Sequence, residues 1–346
     1  MTNILFVFAL SVLLTISLWW GFKKLPGDNR QILAAIPLCK RDSGTWEGLN
    51  LTYYGMLTAS AQVFAVSIML ILMGALNRTW TETLFLVVIL LGVCVPASRL
   101  IARIVEKKTS TFTVGGASFI GMLSAPFILS AANMTGFCTI PVIPFLAAIA
   151  ISYAFGEGIG RLACISFGCC YGKPLSQCSP LMRRLFSKTC FVFNGKTKKI
   201  SYESGLDGQE VIPVQALTSI VYLSTGLVAM LFFLGASYAV ALIIATCCTQ
   251  LWRFVSELFR ADFRGGGRLS AYQIMSLLLV CYPFAVTVFF PPGRTSVPDI
   301  MLGLKGMVNP LLILCLQSIW MIVFFYLGKS KVTGATISFY VRKDRI

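Results

Sequence analysis

The sequence predicts an all-α integral membrane protein, a polytopic bundle of about eight to nine transmembrane helices. Of its 346 residues, 57% are hydrophobic and only 12% are charged, and the mean hydropathy is +0.81. These values lie far outside the range of soluble globular domains. No polar stretch between the apolar segments is long enough to bury a core of its own, so we expect a single membrane domain.

Nine apolar windows are long enough to cross a hydrocarbon core of about 30 Å. The first is followed by WWGFKKLPGDN, which lacks a small-residue cleavage site, so we interpret it as a retained span and not as a signal peptide. The polar segment 171–212 contains SPLMRRLFSK and the turn-forming LDGQE, which predict a short helix and a hairpin or loop, a small cap at the membrane surface. The nine windows cover residues 2–22, 51–76, 83–104, 113–133, 139–158, 213–235, 237–256, 270–290 and 308–328.

The basic residues are distributed unequally between the two sides of the membrane. If the nine spans alternate in direction, one side collects 26 of the 29 Lys and Arg residues, and only Arg78, Arg294 and Lys305 fall on the other. The positive-inside rule places the basic side in the cytoplasm. The same side would also attract anionic lipid headgroups, with about 1 kcal/mol for each nearby basic residue. Topology and lipid recruitment remain alternative explanations of this bias.

Two groups of ionisable residues lie at membrane depth, where an unpaired charge costs several kcal/mol and indicates function. Glu157 and Arg161 are one helical turn apart in FGEGIGR. Arg253, Glu257 and Arg260 follow at i, i+4 and i+7 in QLWRFVSELFR, which predicts one shared helix face. Guanidinium groups gathered where two helices leave the bilayer are suited to a phosphate diester, because each planar fork donates to two oxygens. An interhelical salt bridge that only stabilises the bundle is the alternative.

The twelve cysteines do not predict a metal site. Most are scattered through apolar spans, where a thiol behaves as a small hydrophobe. Cys164, Cys169 and Cys170 lie closer together, but their spacing matches no zinc motif and a vicinal pair chelates poorly. We therefore expect no metal and no cofactor. The chain contains no histidine, so any acid–base chemistry must use another group.

Six segments, in the same order, resemble the prolipoprotein diacylglyceryl transferase family over most of residues 50–280. Arg161, Gly168 and Gly172 match the Gly-Arg signature of the family, and the Cys-Cys-Tyr-Gly ending is similar to that of a divergent branch. The resemblance implies a transferase-like domain of seven spans and the cap at 51–290. It leaves an extra helix and basic loop at 1–50 and an extra helix and basic tail at 291–346. The six segments are LTYYGMLTASAQVF, GGASFIGML, GRLACISFGCCYG, IPVQAL, RFVSELFR and LSAYQIMSL.

The resemblance implies a reaction and a set of site residues. Such an enzyme moves a diacylglyceryl group from phosphatidylglycerol to the cysteine thiol of a prolipoprotein and releases glycerol phosphate. Its partners would be this anionic phospholipid, the acceptor peptide and the bacterial cytoplasmic (inner) membrane, with no nucleic acid. The catalytic candidates are Arg161, Arg253 and Glu257. The candidates for substrate binding are Tyr54, Gly115, Gly116, Gly168, Gly172, Gln215, Arg260 and Gln273.

The chain also departs from the family pattern. Ile120 and Ile212 stand where histidines are expected, Thr218 replaces a glutamate, and Cys164 replaces the asparagine of the signature. Tyr54 or Glu257 is then the remaining choice of base. Two alternatives follow: a related transferase with the same donor and another acceptor, or a lipid-binding or lipid-translocating protein without activity. Family members place the signature on the outer face of the inner membrane, whereas the basic side predicts the cytoplasmic face.

Overall fold

The computed structural model describes residues 1–105, 113–261, 269–290 and 297–346 and is mainly helical. All helices of these ranges except α6, α7 and α11 are long and apolar enough to span a membrane, which confirms the predicted all-α polytopic bundle. In chain order the helices are α1 (Thr2–Lys24), α2 (Tyr53–Ala75), α3 (Trp80–Val105), α4 (Val114–Met134), α5 (Val142–Phe167), α6 (Pro180–Phe186), α7 (Lys199–Ser204), α8 (Val214–Leu234), α9 (Tyr238–Ser256), α10 (Ala271–Phe289), α11 (Ile300–Gly306) and α12 (Pro310–Gly328).

A three-stranded antiparallel sheet joins the two ends of the chain and was not predicted. Its strands are β1 (Ile32–Lys40), β2 (Trp46–Thr52) and, after two short strands of the cap, β5 (Lys329–Ile337). The order is β1-β2-β5, with Trp46 opposite both Lys40 and Ile337. The turn between β1 and β2 needs Gly44, whose φ of 81° is a conformation that side chains disfavour.

The cap lies between α5 and α8. It contains α6, α7 and the paired strands β3 (Phe191–Val192) and β4 (Glu210–Val211). The predicted short helix and strand pair are present, although α7 lies between the two strands, so they do not form a tight hairpin. Asn194 N donates to Pro26 O at 3.2 Å and Lys173 N donates to Phe259 O at 2.9 Å. The cap therefore contacts the chain beyond both α1 and α9.

These contacts define two ends of the bundle. The cap and the sheet lie at one end, which we call the cap end. At the opposite end Asp299 N donates to Ala75 O, and the Asn3 amide donates to Leu234 O. These contacts place the last residues of α1 and α9 at the cap end, and the first residues of α1 with the last of α2 and α8 at the opposite end, as alternating spans require. Lys107, Lys108, Arg264 and Arg268 on the basic side, and Arg294 on the other, lie outside the described residues.

Helix α5 is the centre of the bundle. It packs against α2, α8 and α9, and 72% of its most apolar window is buried, the largest share of any span in the described ranges. The predicted window 139–158 ended too early, because the helix continues to Phe167 and ends at Gly168 with φ of 72°. The signature arginine is consequently a helical residue in the most buried span.

A buried lysine fastens the cap to two of the spans. Lys198 has no exposed surface, and its Nζ donates to Leu25 O at 3.1 Å and to Ser166 O at 2.7 Å. Burial lowers the pKa of Lys198 to about 8, although Asp28 acts in the opposite direction. The two hydrogen bonds of Lys198 thus connect the cap to Leu25, the residue after α1, and to the last turn of α5.

The crossing of α2 and α12 predicts a stability difference between two glycines. A Cβ on Gly55 would meet the Gly328 backbone, whereas a Cβ on Gly92 in α3 would have no atom within 4 Å. We expect Gly55→Ala to lower the free energy of unfolding by about 1–3 kcal/mol, the usual cost of overpacking. Gly92→Ala should leave it unchanged or raise it. Unfolding in detergent micelles measures both, and equal stability of the variants would contradict this packing.

Lys198 predicts a pH dependence of stability. Between about pH 8 and its ordinary value of 10.5, the unfolded chain binds more protons at this residue than the folded chain does. The free energy of unfolding should therefore rise with pH across this window, by at most about 1.4 kcal/mol per pH unit. We expect the rise in the parent and in the exposed control Lys196→Met, and its loss in Lys198→Met. Identical pH slopes in all three proteins would show that Lys198 titrates normally.

Candidate functional site

Polar residues line one face of α5 toward the cap end. Tyr153, Glu157, Arg161 and Cys164 follow one another at spacings of four, four and three residues, so their side chains share a face. Arg161 and Glu157 form an ion pair whose side chains are only 12% and 8% exposed. Arg161 Nε is buried and has no hydrogen-bond partner among the described residues. The pair thus leaves one N–H donor of the guanidinium unused.

Arg253 brings a second guanidinium to this face from α9. The residue is 7% exposed, and its Cζ lies 5.9 Å from the ring centre of Tyr272. Its guanidinium also packs against Gly115, where an added Cβ would lie 2.7 Å from Cζ. Arg253 Nη1 is buried without a partner in the described part of the chain. Only a residue without a side chain at position 115 leaves room for this guanidinium.

Arg161 and Arg253 belong to one charged cluster. Arg253 interacts electrostatically with Glu157 and with Arg161, and Glu157 is the carboxylate that Arg161 contacts. Tyr153 and Tyr222 are also within electrostatic range of Arg253. The structure therefore brings together the two arginines that the sequence singled out. Their shared carboxylate is Glu157.

The predicted helix over Arg253, Glu257 and Arg260 does not continue to Arg260. Helix α9 ends at Ser256, residues Glu257–Phe259 form a 3₁₀ turn, and Arg260 is extended. Glu257 pairs with Arg260 at 4.0 Å across this turn. Arg260 also forms a β-bridge with Gly172 of the cap. It is nearly buried and lies within electrostatic range of Arg161.

Several buried polar atoms of α5, α8 and α9 have no hydrogen-bond partner in the described residues. Most buried polar groups in proteins are paired, so a concentration of unpaired ones indicates a place for a polar ligand. Gln215 and Ser219 lie on the face of α8 that Tyr222 shares, at spacings of four and three residues. The atoms are Ser152 Oγ, Gln215 Oε1, Ser219 Oγ and Thr246 Oγ1. Sequence reasoning missed Tyr153 and Tyr222, although the spacing of Tyr153 to Glu157 was a usable signal.

Some predicted substrate-binding residues have structural partners instead. Gln273 forms a capping box with Ser270, and its Nε2 donates to Phe254 O at 3.3 Å. A Cβ on Gly116 would meet Ile101 and Thr113. Gly168 ends α5 and packs against Lys198. These contacts give Gln273, Gly116 and Gly168 structural roles, and their part in substrate binding stays a prediction.

Gly172 and Ile212 explain one departure from the family pattern. A Cβ on Gly172 would meet the backbone and side chain of Ile212, which is buried in a small apolar cluster of the cap. Ile212 stands where a histidine was expected, and it packs as a core residue. The site therefore contains no side chain at this position that could act as a base.

Three cysteines converge at the end of α5, contrary to the expectation from their spacing. The Sγ atoms of Cys164, Cys169 and Cys170 all lie within 4.8 Å of one another. Cys170 has a φ of 57°, a left-handed conformation that is rare for side-chain-bearing residues. This backbone conformation brings the side chains of Cys169 and Cys170 close to that of Cys164 in α5. The spacing of the three residues in the sequence does not predict this.

The environment of the three cysteines is charged. Hydrogen bonds from Cys164 and Cys169 lower the pKa of the Cys170 thiol well below its usual range, and Arg260 and Arg161 act in the same direction. The phenol of Tyr54, whose ring lies 5.4 Å from that of Phe167, is within electrostatic range of all three cysteines. Gln215 Nε2 donates to Cys169 O at 2.8 Å. Tyr54 and Gln215 thus lie beside the cysteines.

Comparison with known proteins gives one family. A model of the prolipoprotein diacylglyceryl transferase family matches residues 45–289. The match covers α2 to α10 with the cap, and omits α1, β1, α11, α12 and β5. No curated protein matches the chain.

The Glu157–Arg161 pair predicts a large stability effect. Removal of one partner of a buried ion pair leaves the other charge uncompensated and costs about 3–5 kcal/mol. We expect Glu157→Ala to lower the free energy of unfolding by this amount. Glu47→Ala is the control, because the Arg41–Glu47 pair has side chains that are 53% and 51% exposed and such pairs contribute about 0–1 kcal/mol. A Glu157→Ala variant as stable as Glu47→Ala would show that Arg161 does not depend on this carboxylate.

Proposed function

Because the chain belongs to the prolipoprotein diacylglyceryl transferase family, we propose that it transfers the diacylglyceryl group of phosphatidylglycerol to the cysteine thiol of a prolipoprotein. Glycerol phosphate is the other product. The family is one of transferases in lipoprotein biosynthesis, and the nine apolar helices of the described residues make the chain a multi-pass membrane protein. What we propose beyond the family role is the identity of the donor, the acceptor and the site residues.

The observation that supports the proposal most is the shared cluster of Arg161 and Arg253. The two guanidiniums come from α5 and α9, interact with one carboxylate, and each keep a buried N–H group without a described partner. Guanidinium forks of this kind donate to two oxygens of a phosphate. Two guanidiniums around one carboxylate leave positive charge in excess, which suits an anionic headgroup.

The reaction needs positive charge where this cluster lies. When the acceptor sulfur attacks the glyceryl carbon, the carbon–oxygen bond to the phosphate breaks and charge develops on the departing glycerol phosphate. Fixed donors aimed at such charge stabilise the transition state, by about 2.7–4 kcal/mol for each donor. Arg161 and Arg253 take this role in the proposal. Arg260 and Glu257 form a paired group at the edge of the cluster, and Glu257 positions Arg260.

The remaining site residues complete the proposed headgroup site. Gly115 allows Arg253 to lie against the first turn of α4, where unpaired N–H groups of a helix N-terminus attract anions. Tyr54 and Gln215 border the cluster on the side of the cysteines. Gly172 holds Arg260 in place through the β-bridge. Gly116, Gly168 and Gln273 support the surrounding backbone.

We place the enzyme in the bacterial cytoplasmic membrane, where the proposed phospholipid donor and prolipoprotein acceptor meet. Residues 51–290 form the transferase domain of this proposal; the family model matches residues 45–289. Residues 1–50 and 291–346 are additions that pack on it: α1 lies against α5 and α8, and α12 lies against α2. Their strands complete the sheet at the cap end.

A related transferase with another acceptor is the second candidate. Ile120 and Ile212 stand in place of the family's histidines, and Ile212 is a core residue, so the chain lacks the usual group beside the acceptor. The same donor cluster would serve a different nucleophile. An assay with labelled phosphatidylglycerol and a lipobox peptide separates the candidates. Label on the peptide supports the proposal, release of glycerol phosphate without peptide labelling supports the second candidate, and binding without turnover supports a lipid-binding protein.

The arginines give the direct test of the site. We expect Arg161→Ala and Arg253→Ala each to reduce the rate of peptide labelling by about 10²–10³-fold, the usual loss for one transition-state donor. Arg184→Ala, at an exposed position of α6, is the matched control and should retain the parental rate within about twofold. Thermal unfolding of each variant verifies its fold. If Arg161→Ala and Arg253→Ala are both folded and each labels the peptide at the parental rate, the proposed site is refuted.

A further inference from the structure

The cluster of Cys164, Cys169 and Cys170 has the geometry of a soft-metal site. Its three Sγ atoms lie within 4.8 Å of one another, and three sulfurs bound to one tetrahedral zinc lie about 3.8 Å apart at a Zn–S distance of about 2.3 Å. Small side-chain rotations bridge this difference. The cluster is held from two sides, because Cys169 N donates to Cys164 O at 3.0 Å and Gln215 donates to Cys169 O.

We propose that Cys164, Cys169 and Cys170 bind one Zn²⁺ ion with an open fourth position, and that this position binds the thiol of the acceptor cysteine. The second half of this proposal rests on the proposed transferase function; the first half does not. Thiolate ligands select zinc, copper(I) or iron–sulfur clusters. Three ligands with an open position are typical of catalytic zinc, whereas structural zinc has four protein ligands.

Two observations favour the open position. Each of the three cysteines keeps some exposed surface as a residue, so the cluster lies at the edge of the packed core and not in its centre. No histidine occurs in the chain, and among the described residues no Asp or Glu belongs to the group of ligands. Arg161 and Arg260 lie within electrostatic range of the cysteines, and their positive charge offsets the negative charge that three thiolates and one divalent ion carry.

The site would supply the thiolate that the reaction requires. A thiol that coordinates zinc is deprotonated outright, and its proton passes to water. The acceptor sulfur then attacks the glyceryl carbon of the phospholipid, the carbon–sulfur bond forms, and the carbon–oxygen bond to phosphate breaks. The electron pair of that bond leaves with glycerol phosphate, beside Arg161. Metal coordination thereby replaces the base that Ile120 cannot provide.

Zinc content tests the site without any activity measurement. The full-length protein, purified in detergent and equilibrated with Zn²⁺ at a fixed free concentration, should hold one zinc per chain by mass spectrometry of the metal. Cys164→Ser, Cys169→Ser and Cys170→Ser should each reduce bound zinc at least tenfold. Cys178→Ser and Cys190→Ser, in the cap outside the cluster, are the controls and should keep the parental content. Three results would overturn the site: a parent protein without zinc, a zinc content in the three cluster variants equal to that of the parent, or binding of copper in preference to zinc.

Cobalt tests the acceptor position. We expect Co²⁺ in place of zinc to give sulfur-to-cobalt charge-transfer absorption, which should intensify with a lipobox peptide that contains cysteine. The same peptide with serine should leave the spectrum unchanged. An identical response to both peptides would overturn acceptor binding while the zinc site stands. A chain that binds zinc and the cysteine peptide, yet never labels it from phosphatidylglycerol, would refute the proposed function and leave the metal site intact.

Discussion

A guanidinium inside an apolar helix bundle must be paired or hydrogen-bonded, and this constraint shapes the cap end of the molecule. Arg161 lies in the most buried span and is held by Glu157 one turn earlier. Arg253, from α9, lies within electrostatic range of the same carboxylate, and its guanidinium packs against Gly115, where an added Cβ would clash with it. Glu157 is the ion-pair partner of Arg161, so one carboxylate does not neutralise both guanidiniums. An anion bound beside them would offset the remaining positive charge.

The cap and the terminal segments keep this cluster in place. Its members lie on spans that are nearly one hundred residues apart in sequence, so their positions depend on contacts at the ends of the helices. Lys198 ties the cap to α1 and α5, and the bridge between Gly172 and Arg260 ties it to the end of α9. The sheet β1-β2-β5 adds the two chain ends to the same region. The extra spans therefore brace the end of the bundle at which the charged residues gather.

Composition and length predict the spans well, because crossing a membrane imposes a minimum apolar length. They do not predict where α5 ends, since the apolar window closes at residue 158 whereas the helix continues past the charged Arg161 to Phe167. The sheet was not predicted, because its strands come from the two ends of the chain and their pairing depends on tertiary contacts. Arg161 and Arg253 were predicted from their charge at membrane depth and from motif order. The cysteine cluster was not predicted, since the left-handed turn at Cys170 brings its members together without a regular spacing. Tyr153 and Tyr222 were not predicted either, because which neighbouring helix a ring faces depends on tertiary packing, although Tyr153 lies four residues before Glu157.

The absence of histidine from the chain and the gathering of three cysteines fit the one chemistry that we propose. A base must accept a proton from the acceptor thiol, and its pKa must lie near that of the thiol to be effective. A metal held by sulfur imposes no such match, because coordination itself favours the thiolate. In this chain the signature keeps Arg161 and has Cys164 in place of the family's asparagine, one turn further along the helix. The part of the signature to which we assign phosphate binding is thus present, while a soft sulfur donor stands at Cys164, beside the proposed path of a sulfur nucleophile.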